Sequence, residues 1–355
     1  MVTEDPNGPP PPDSGLYGLD PERARSRAVV IPVPYEATVS YRAGTREGPE
    51  AIRRASHQVD LYDADVGYAA SAGILLDVAP EGVAALSESC RARAVRVIEA
   101  QTRGEAPDAA DLAAVNDAGE RVRDLVHSRV AAVLEEGRLP VLLGGDHSVP
   151  LGAIEAVAAR HADETVGVLH IDAHADLRVA YEGFEHSHAS IMHNALARAR
   201  NLRLVQVGIR DFSDDELAVI REDGRISTYF DAQLRPFRLS GRIHAAFDAV
   251  VSALPELVYV SFDIDGLDPV LCPHTGTPVP GGLSFDEVVA LLAKVVESGR
   301  RVVGLDLVEV APGPDPDDEW DALVAARLLY KMVGLALRSR GELAHDDGLP
   351  VPPGL

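Results

Sequence analysis

Val168-Leu-His-Ile-Asp-Ala-His-Ala-Asp176 is an apolar run that ends in alternating metal-binding side chains, Asp172, His174 and Asp176. In an extended segment the side chains at i, i+2 and i+4 point to one side. Two carboxylates and an imidazole are therefore expected to converge at a strand end, where open α/β sheets place their ligands. Leu142-Leu-Gly-Gly-Asp-His-Ser148 and Val260-Ser-Phe-Asp-Ile-Asp-Gly-Leu-Asp-Pro269 have the same form, an apolar strand running into Asp or His. Together the three strand ends carry six hard or borderline ligands: His147, Asp172, His174, Asp176, Asp263 and Asp265. That set predicts a centre for two divalent ions, with manganese suited to carboxylates joined by a few imidazoles.

Outward from this centre the pattern is regular. Strands are expected over 28–33, 73–76, 139–143, 165–171, 202–207, 225–228, 257–262 and 302–307. Helices are expected over 50–56, 110–136, 150–160, 215–221, 243–253, 284–297 and 319–337. Ser148 is a candidate cap for the third of these helices, and Ser284 with Glu287 forms a capping box for the sixth. Strands that are continuously apolar and alternate with helices predict a mostly parallel sheet covered on both faces. The expected architecture is one three-layer α/β/α domain of about eight strands over 28–340. Residues 1–27 read as a flexible or surface-draped tail, and 341–355 as a loose C-terminal one.

Composition narrows the function. The chain has 355 residues, 33 basic and 56 acidic, for a formal net charge of −23. That charge argues against nucleic acid or an anionic membrane as the main partner and mildly favours a cationic small molecule. Cys90 and Cys272 are the only cysteines, so no disulfide framework is implied. The acidic, proline-rich start is not expected to be a signal peptide, and no apolar run approaches membrane-spanning length. A cytoplasmic location is the expectation.

Gly144-Gly-Asp-His-Ser148, Asp172-Ala-His-Ala-Asp176 and Ser261-Phe-Asp-Ile-Asp-Gly-Leu-Asp-Pro269 resemble the three signature motifs of the ureohydrolases, the arginase and agmatinase family. The resemblance extends to Gly44-Thr-Arg-Glu-Gly-Pro49, to Thr275-Gly-Thr-Pro-Val-Pro-Gly-Gly282 and to the region of Glu309. It implies that His147, Asp172, Asp176 and Asp263 hold one manganese, and His174, Asp172, Asp263 and Asp265 the other. Asp172 and Asp263 would bridge, Asp176 would orient a hydroxide shared by the metals, and Glu309 would clamp the substrate guanidinium. The implied reaction is direct hydrolysis of a guanidino group to urea and an amine, without a covalent enzyme intermediate. An amine leaves readily only when protonated, which calls for a histidine shuttle. His188 matches the family's position, although Ala189 stands where glycine usually follows, and His186 competes for the role. Family membership also implies a homo-oligomer, a trimer or hexamer.

The substrate stays open among guanidino compounds. Agmatine, giving putrescine and urea, is the leading expectation, with Glu182 or Glu185 facing its distal amine. Arg178 or Arg42 would suit the carboxylate of a guanidino acid such as guanidinobutyrate. Cys272 and His274, unusual for an agmatinase loop, would suit a pocket narrowed to free guanidine, where nickel is the alternative metal. From other classes, a metal-dependent deacetylase or amidase would use a single zinc, and the second ligand pair Asp263 and Asp265 argues against it. A non-catalytic homologue would have lost a ligand, and all six are present.

Overall fold

Valine, isoleucine and leucine dominate the central strands without regular polar alternation, so both faces of the sheet must be covered. The computed structural model describes residues 10–315 and 317–343. Its strands are β1 (Ala28–Val33), β2 (Ile74–Leu76), β3 (Leu139–Gly144), β4 (Val166–Ile171), β5 (Leu202–Val207), β6 (Ile226–Tyr229), β7 (Leu257–Asp263) and β8 (Arg301–Val308). They form one sheet, parallel throughout, in the order β2-β1-β3-β8-β7-β4-β5-β6.

The α-helices are α1 (Gly48–Ala55), α2 (Val83–Thr102), α3 (Ala109–Glu135), α4 (Leu151–Arg160), α5 (Ile191–Arg198), α6 (Asp214–Glu222), α7 (Asp231–Leu239), α8 (Ile243–Ala253), α9 (Phe285–Glu297) and α10 (Trp320–Ser339). Alternate residues of each strand face opposite layers. Ala28 and Val30 of β1 join a core with α1, α8, α9 and α10, whereas Val29, Ile31 and Val33 pack with α2, α3, α4 and α5. The expected three-layer α/β/α domain is what the chain forms.

Boundaries expected from sequence agree to within a few residues, and the capping box of Ser284 and Glu287 opens α9. Three helices escaped the sequence reading: α2, α5 and α7. The buried stripe of α2 is Val83, Ser87, Cys90, Ala94, Val97 and Ala100, helically spaced but built mostly of small residues. Such a stripe carries little hydrophobic signal. Ser148 does not cap α4; its hydroxyl and N–H both go to Asp146 Oδ1, and Pro150 occupies the cap position.

The expected N-terminal tail is corrected over its second half. Leu16 and Tyr17 are buried in the α10 layer. The Tyr17 ring meets Tyr330 edge-on at 4.8 Å, its hydroxyl donates to the Ala326 carbonyl at 3.1 Å, and its N–H donates to Ser56 Oγ at 2.8 Å. Two apolar residues among prolines and acids gave no periodic pattern to detect. Residues 1–9 and 344–355, the remainder of the two expected tails apart from 341–343, lie outside the described residues. No described helix is long and apolar enough to cross a membrane.

Because Tyr17 fills a closed site, Tyr17→Ala is expected to cost roughly 3 kcal/mol, the range for emptying a buried aromatic site. A urea-unfolding curve checks this, and an unchanged midpoint would show that the segment contributes nothing.

Candidate metal centre

The strand order brings the carboxyl ends of β3, β8, β7 and β4 side by side at the middle of the sheet. Every residue singled out from the three motifs follows one of those ends. After β3 the chain turns at Gly145, where an added Cβ would sit 1.9 Å from the Tyr35 carbonyl oxygen, so only glycine fits. Asp146 is then spent on the loop itself: its Oδ2 accepts the N–H of Ala37 at 3.0 Å. Burial pushes its carboxyl up to about 6.

His147 emerges from this turn with Nδ1 surrounded by carboxylates, 3.0 Å from Asp172 Oδ2, 3.2 Å from Asp176 Oδ2 and 3.2 Å from Asp263 Oδ2. That nitrogen is buried and makes no hydrogen bond. A second group forms beside it, with His174 Nδ1 3.1 Å from Asp265 Oδ2 and 3.5 Å from Asp172 Oδ1. Asp172 thus gives one oxygen to each group. Asp263 instead spends Oδ1 on the N–H of Asp265 at 2.8 Å.

The electrostatics ask for cations. Burial, followed by the charges of Asp265 and Asp172, pushes Asp263 well above the ordinary carboxylate range. Asp176 is raised by burial and by Asp172. Although burial opposes charge on His147, the surrounding carboxylates drive it well above the usual imidazole value. An unpartnered buried imidazole nitrogen among crowded carboxylates fits a pair of divalent ions sharing Asp172.

The sequence reading left out the supports of this cluster. His170 on β4 sets Nε2 2.8 Å from Asp172 Oδ2, and its Nδ1 lies 3.0 Å from Gln206 Nε2 on β5. Gln206 Nε2 also donates to the Ala175 carbonyl at 2.8 Å, and its Oε1 accepts from Thr228 at 2.8 Å. With Gln206 donating to Nδ1, the His170 proton sits on Nε2 and points at the carboxylate. The alternation that marks 172, 174 and 176 extends back to 170, so the signal was present. His147 Nε2 lies 3.0 Å from Ser261 Oγ, which donates to Asp306 Oδ1 at 3.1 Å. Ser261 and Asp306 lie inside strands and carried no separate mark.

Two non-glycine residues at the site have left-handed backbones, Asp176 (φ 54°) and Glu309 (φ 61°). Such conformations are costly and persist only where neighbours hold them. The Asp176 carbonyl accepts N–H bonds from Met192 at 3.0 Å and His193 at 3.3 Å, at the start of α5. Glu309 donates its N–H to Gly145 O at 2.8 Å, and its carbonyl accepts the Thr275 hydroxyl at 2.8 Å. Its Oε1 accepts the N–H of His147 at 2.8 Å.

A polar cleft opens over the second group, walled by His174, Asp176, Arg178, Tyr181, His188, Asp211 and Thr277. Burial, aided by the nearby His174 and His147, pushes His188 down to about 4. Arg178 and His188 both line this cleft. The other tentative substrate residues do not line this cleft. Arg42 donates to the Pro273 carbonyl at 3.0 Å. Glu182 packs away from it, Glu185 is exposed, and His186 turns to Glu120, 3.0 Å away. Cys272 lies in the hydrophobic core and donates to the Ile264 carbonyl at 3.2 Å. His274 is tied through Nδ1 to Asp321 Oδ2 at 2.9 Å. Asp211 and Tyr181, at the cleft, were not singled out as substrate residues, because loops place them there.

Fold and cluster together define a metal-dependent hydrolase of the arginase and agmatinase type. Residues 26–334 match the model of the arginase family, and the chain belongs to that family. It is 34% identical over 321 residues to the N(1)-aminopropylagmatine ureohydrolase of Thermus thermophilus, covering 90% of this chain and 94% of that one. It is 30% identical over 317 residues to the agmatinase of Bacillus subtilis, covering 88% and 93%. Among solved structures it is similar to the agmatine ureohydrolase of Thermoplasma volcanium, with a TM-score of 0.68, 27% identity and coverage of 91% and 94%. The proclavaminate amidino hydrolase of Streptomyces clavuligerus is also similar, with a TM-score of 0.71, 26% identity and coverage of 92% and 97%.

Cysteine reacts as the thiolate, and Cys272 is raised far above its ordinary value by burial, with Cys90 also raised by burial. Both thiols are buried in the folded chain. A disulfide-exchange dye at pH 8 is expected to label neither in the native protein and both in denaturant. Rapid native labelling of Cys272 would restore it as a pocket residue.

Proposed function

We propose that the protein hydrolyses the guanidino group of an extended cationic substrate, agmatine foremost, to urea and an amine. The observation that carries the reading is the pair of ligand groups joined through Asp172 beneath an open polar cleft. His147, Asp172, Asp176 and Asp263 would hold one ion, and His174, Asp172, Asp263 and Asp265 the other, most simply manganese. When bound, such a pair supplies water activated at neutral pH and Lewis-acid stabilisation of developing charge.

The chain's own residues do the rest. Glu309 does not line the cleft, and burial raises its carboxyl well above the ordinary range. With Oε1 fixed by the His147 N–H, its Oε2 would meet the planar guanidinium once the ions and the substrate cation favour the carboxylate. Holding the cation this way sets its carbon in one orientation before reaction. His188, half-buried at the cleft wall and pushed toward its neutral form, has a nitrogen to accept a proton and another to release one. It would carry a proton to the departing amine.

Three observations support the choice of agmatine. The relatives at 30–34% identity are agmatinases and aminopropylagmatine ureohydrolases. Asp211, two-thirds exposed at the cleft, can meet a distal ammonium. Arg178 is partly neutralised by Glu216 at 3.6 Å and lies over the Tyr181 ring at 5.1 Å. A guanidino acid is the second reading, favoured by the same Arg178 if its charge is left free for a carboxylate. Free guanidine stays the third reading, although Cys272 and His274, two of the features that suited it, do not line the cleft. A homo-oligomer, trimer or hexamer, remains part of the proposal.

Urea release by protein loaded with Mn²⁺ or Ni²⁺ tests the reading on agmatine, its aminopropyl derivative, 4-guanidinobutyrate, arginine and guanidine. Fastest turnover of agmatine or its derivative with Mn²⁺ is expected. Preference for guanidinobutyrate would move the assignment to a guanidino acid, and no urea from any compound with two ions bound would overturn it. His188→Asn is expected to lower kcat by about 10²–10⁴-fold, the usual worth of a positioned acid–base group, with metal content unchanged. Loss of metal, or an unaltered kcat, would remove His188 from that role.

A further inference from the structure

The wall of the cleft is formed by a hairpin, Tyr181–Phe184, anchored to a distant layer, and by the short 3-10 turn that His188 opens just after it. Tyr181 donates its N–H to the Phe184 carbonyl at 3.1 Å, and Phe184 returns a bond to the Tyr181 carbonyl at 2.9 Å. Between them Glu182 and Gly183 both have positive φ, 53° and 82°. This is the tight turn with two left-handed central residues that suits a two-residue hairpin loop. The two aromatic residues face opposite ways. Tyr181 lines the cleft, 6.1 Å from the His188 ring, while Phe184 is fully buried among Ala94, Val97 and Val115 of α2 and α3.

Helix α3 grips the hairpin at two more points. Asn116 donates Nδ2 to the Gly183 carbonyl at 3.2 Å and accepts the Glu185 N–H on Oδ1 at 3.0 Å. One turn along, Gly119 leaves room for His186, whose Cβ would lie 2.3 Å from a Cβ added there. His186 reaches on to Glu120, at 3.0 Å. A glycine inside a long helix costs about 1 kcal/mol of helix propensity, and the close seat of His186 gives that cost a use.

We propose that α3 holds the 181–188 hairpin as a preformed wall of the substrate cleft, with Phe184 as its anchor and Asn116 and Gly119 as positioning residues for Tyr181 and His188. None of the three touches substrate; they act through the residues they place. The inference rests on the reading of the cleft as the guanidine site. It assigns the wall a fixed shape against which the substrate chain is aligned, rather than a flap that closes on it.

The full-length metal-loaded protein is compared with Phe184→Ala, Phe184→Leu, Asn116→Ala and Gly119→Ala. Hydrogen exchange over 177–190, metal content and urea-release kinetics are measured for each. Exchange in that segment is expected to rise about tenfold or more in Phe184→Ala and Asn116→Ala and to stay slow elsewhere. In the same variants kcat/KM is expected to fall about tenfold or more with metal content unchanged, because a small misplacement of a catalytic wall is costly. Phe184→Leu should recover most of both. Where Phe184→Ala does not fold, Asn116→Ala and Gly119→Ala decide. Unchanged exchange in the folded variants overturns the proposal, as does faster exchange with kcat and KM both within about twofold of the parent. If the parent releases no urea from any guanidine, the functional reading fails, while the exchange data still decide whether α3 clamps the hairpin.

Discussion

Asp172, Asp176, Asp263 and Asp265 are buried within a few ångströms of two imidazoles, and carboxylates in such a place cannot all ionise without added positive charge. Much of the surrounding structure answers this constraint. Ser261 and Asp306 hold the far nitrogen of His147, and His170 with Gln206 orients Asp172. Asp265 Oδ1 is occupied by the Ala173 N–H at 3.0 Å, which leaves its other oxygen for the centre. His147, Asp263 and Asp265 each turn one atom inward and tie the other to a neighbour, whereas Asp172 turns one oxygen to each group. Metal sites are commonly tuned through such outer contacts.

The parallel sheet makes this crowding possible. Its order places β8 and β7 between β3 and β4, so segments far apart in the chain end at one point. At the end of β3 the absence of a side chain lets Gly145 press against Tyr35, and at the end of β8 Glu309 has a left-handed backbone. Two of the left-handed non-glycine residues, Asp176 and Glu309, lie at the centre, and both are held by backbone hydrogen bonds from neighbouring elements. Strain here is local, and the scaffold around it is rigid enough to keep it.

Charge has two scales in this molecule. The net charge of −23 favours the approach of a cation from a distance, while the cleft itself contains both Arg178 and Asp211. Arg178 is held between Glu216 and the face of Tyr181, whose ring also lies 6.1 Å from that of His188.

The centre was legible because its ligands obey local rules. A period of two at a strand end puts 172, 174 and 176 on one side, and hydrophobic runs of strand length announce the sheet before any contact is known. The same logic ran short where the signal was chemical weakness or distance. The α2 stripe of serine, cysteine and alanine is too weakly apolar to read. Leu16 and Tyr17 are two residues in an otherwise polar segment. The split among loop residues, with Arg178 and His188 at the cleft and His186, Cys272 and His274 turned elsewhere, depends on partners 45 to 70 residues away, such as Glu120 and Asp321. By itself the sequence determined the layer architecture and which motif side chains gather at the strand ends, because periodicity and ligand chemistry act over a few residues. Only the tertiary structure decided which oxygens face each imidazole, which histidine borders the cleft and what holds it there, because those outcomes depend on how distant elements pack.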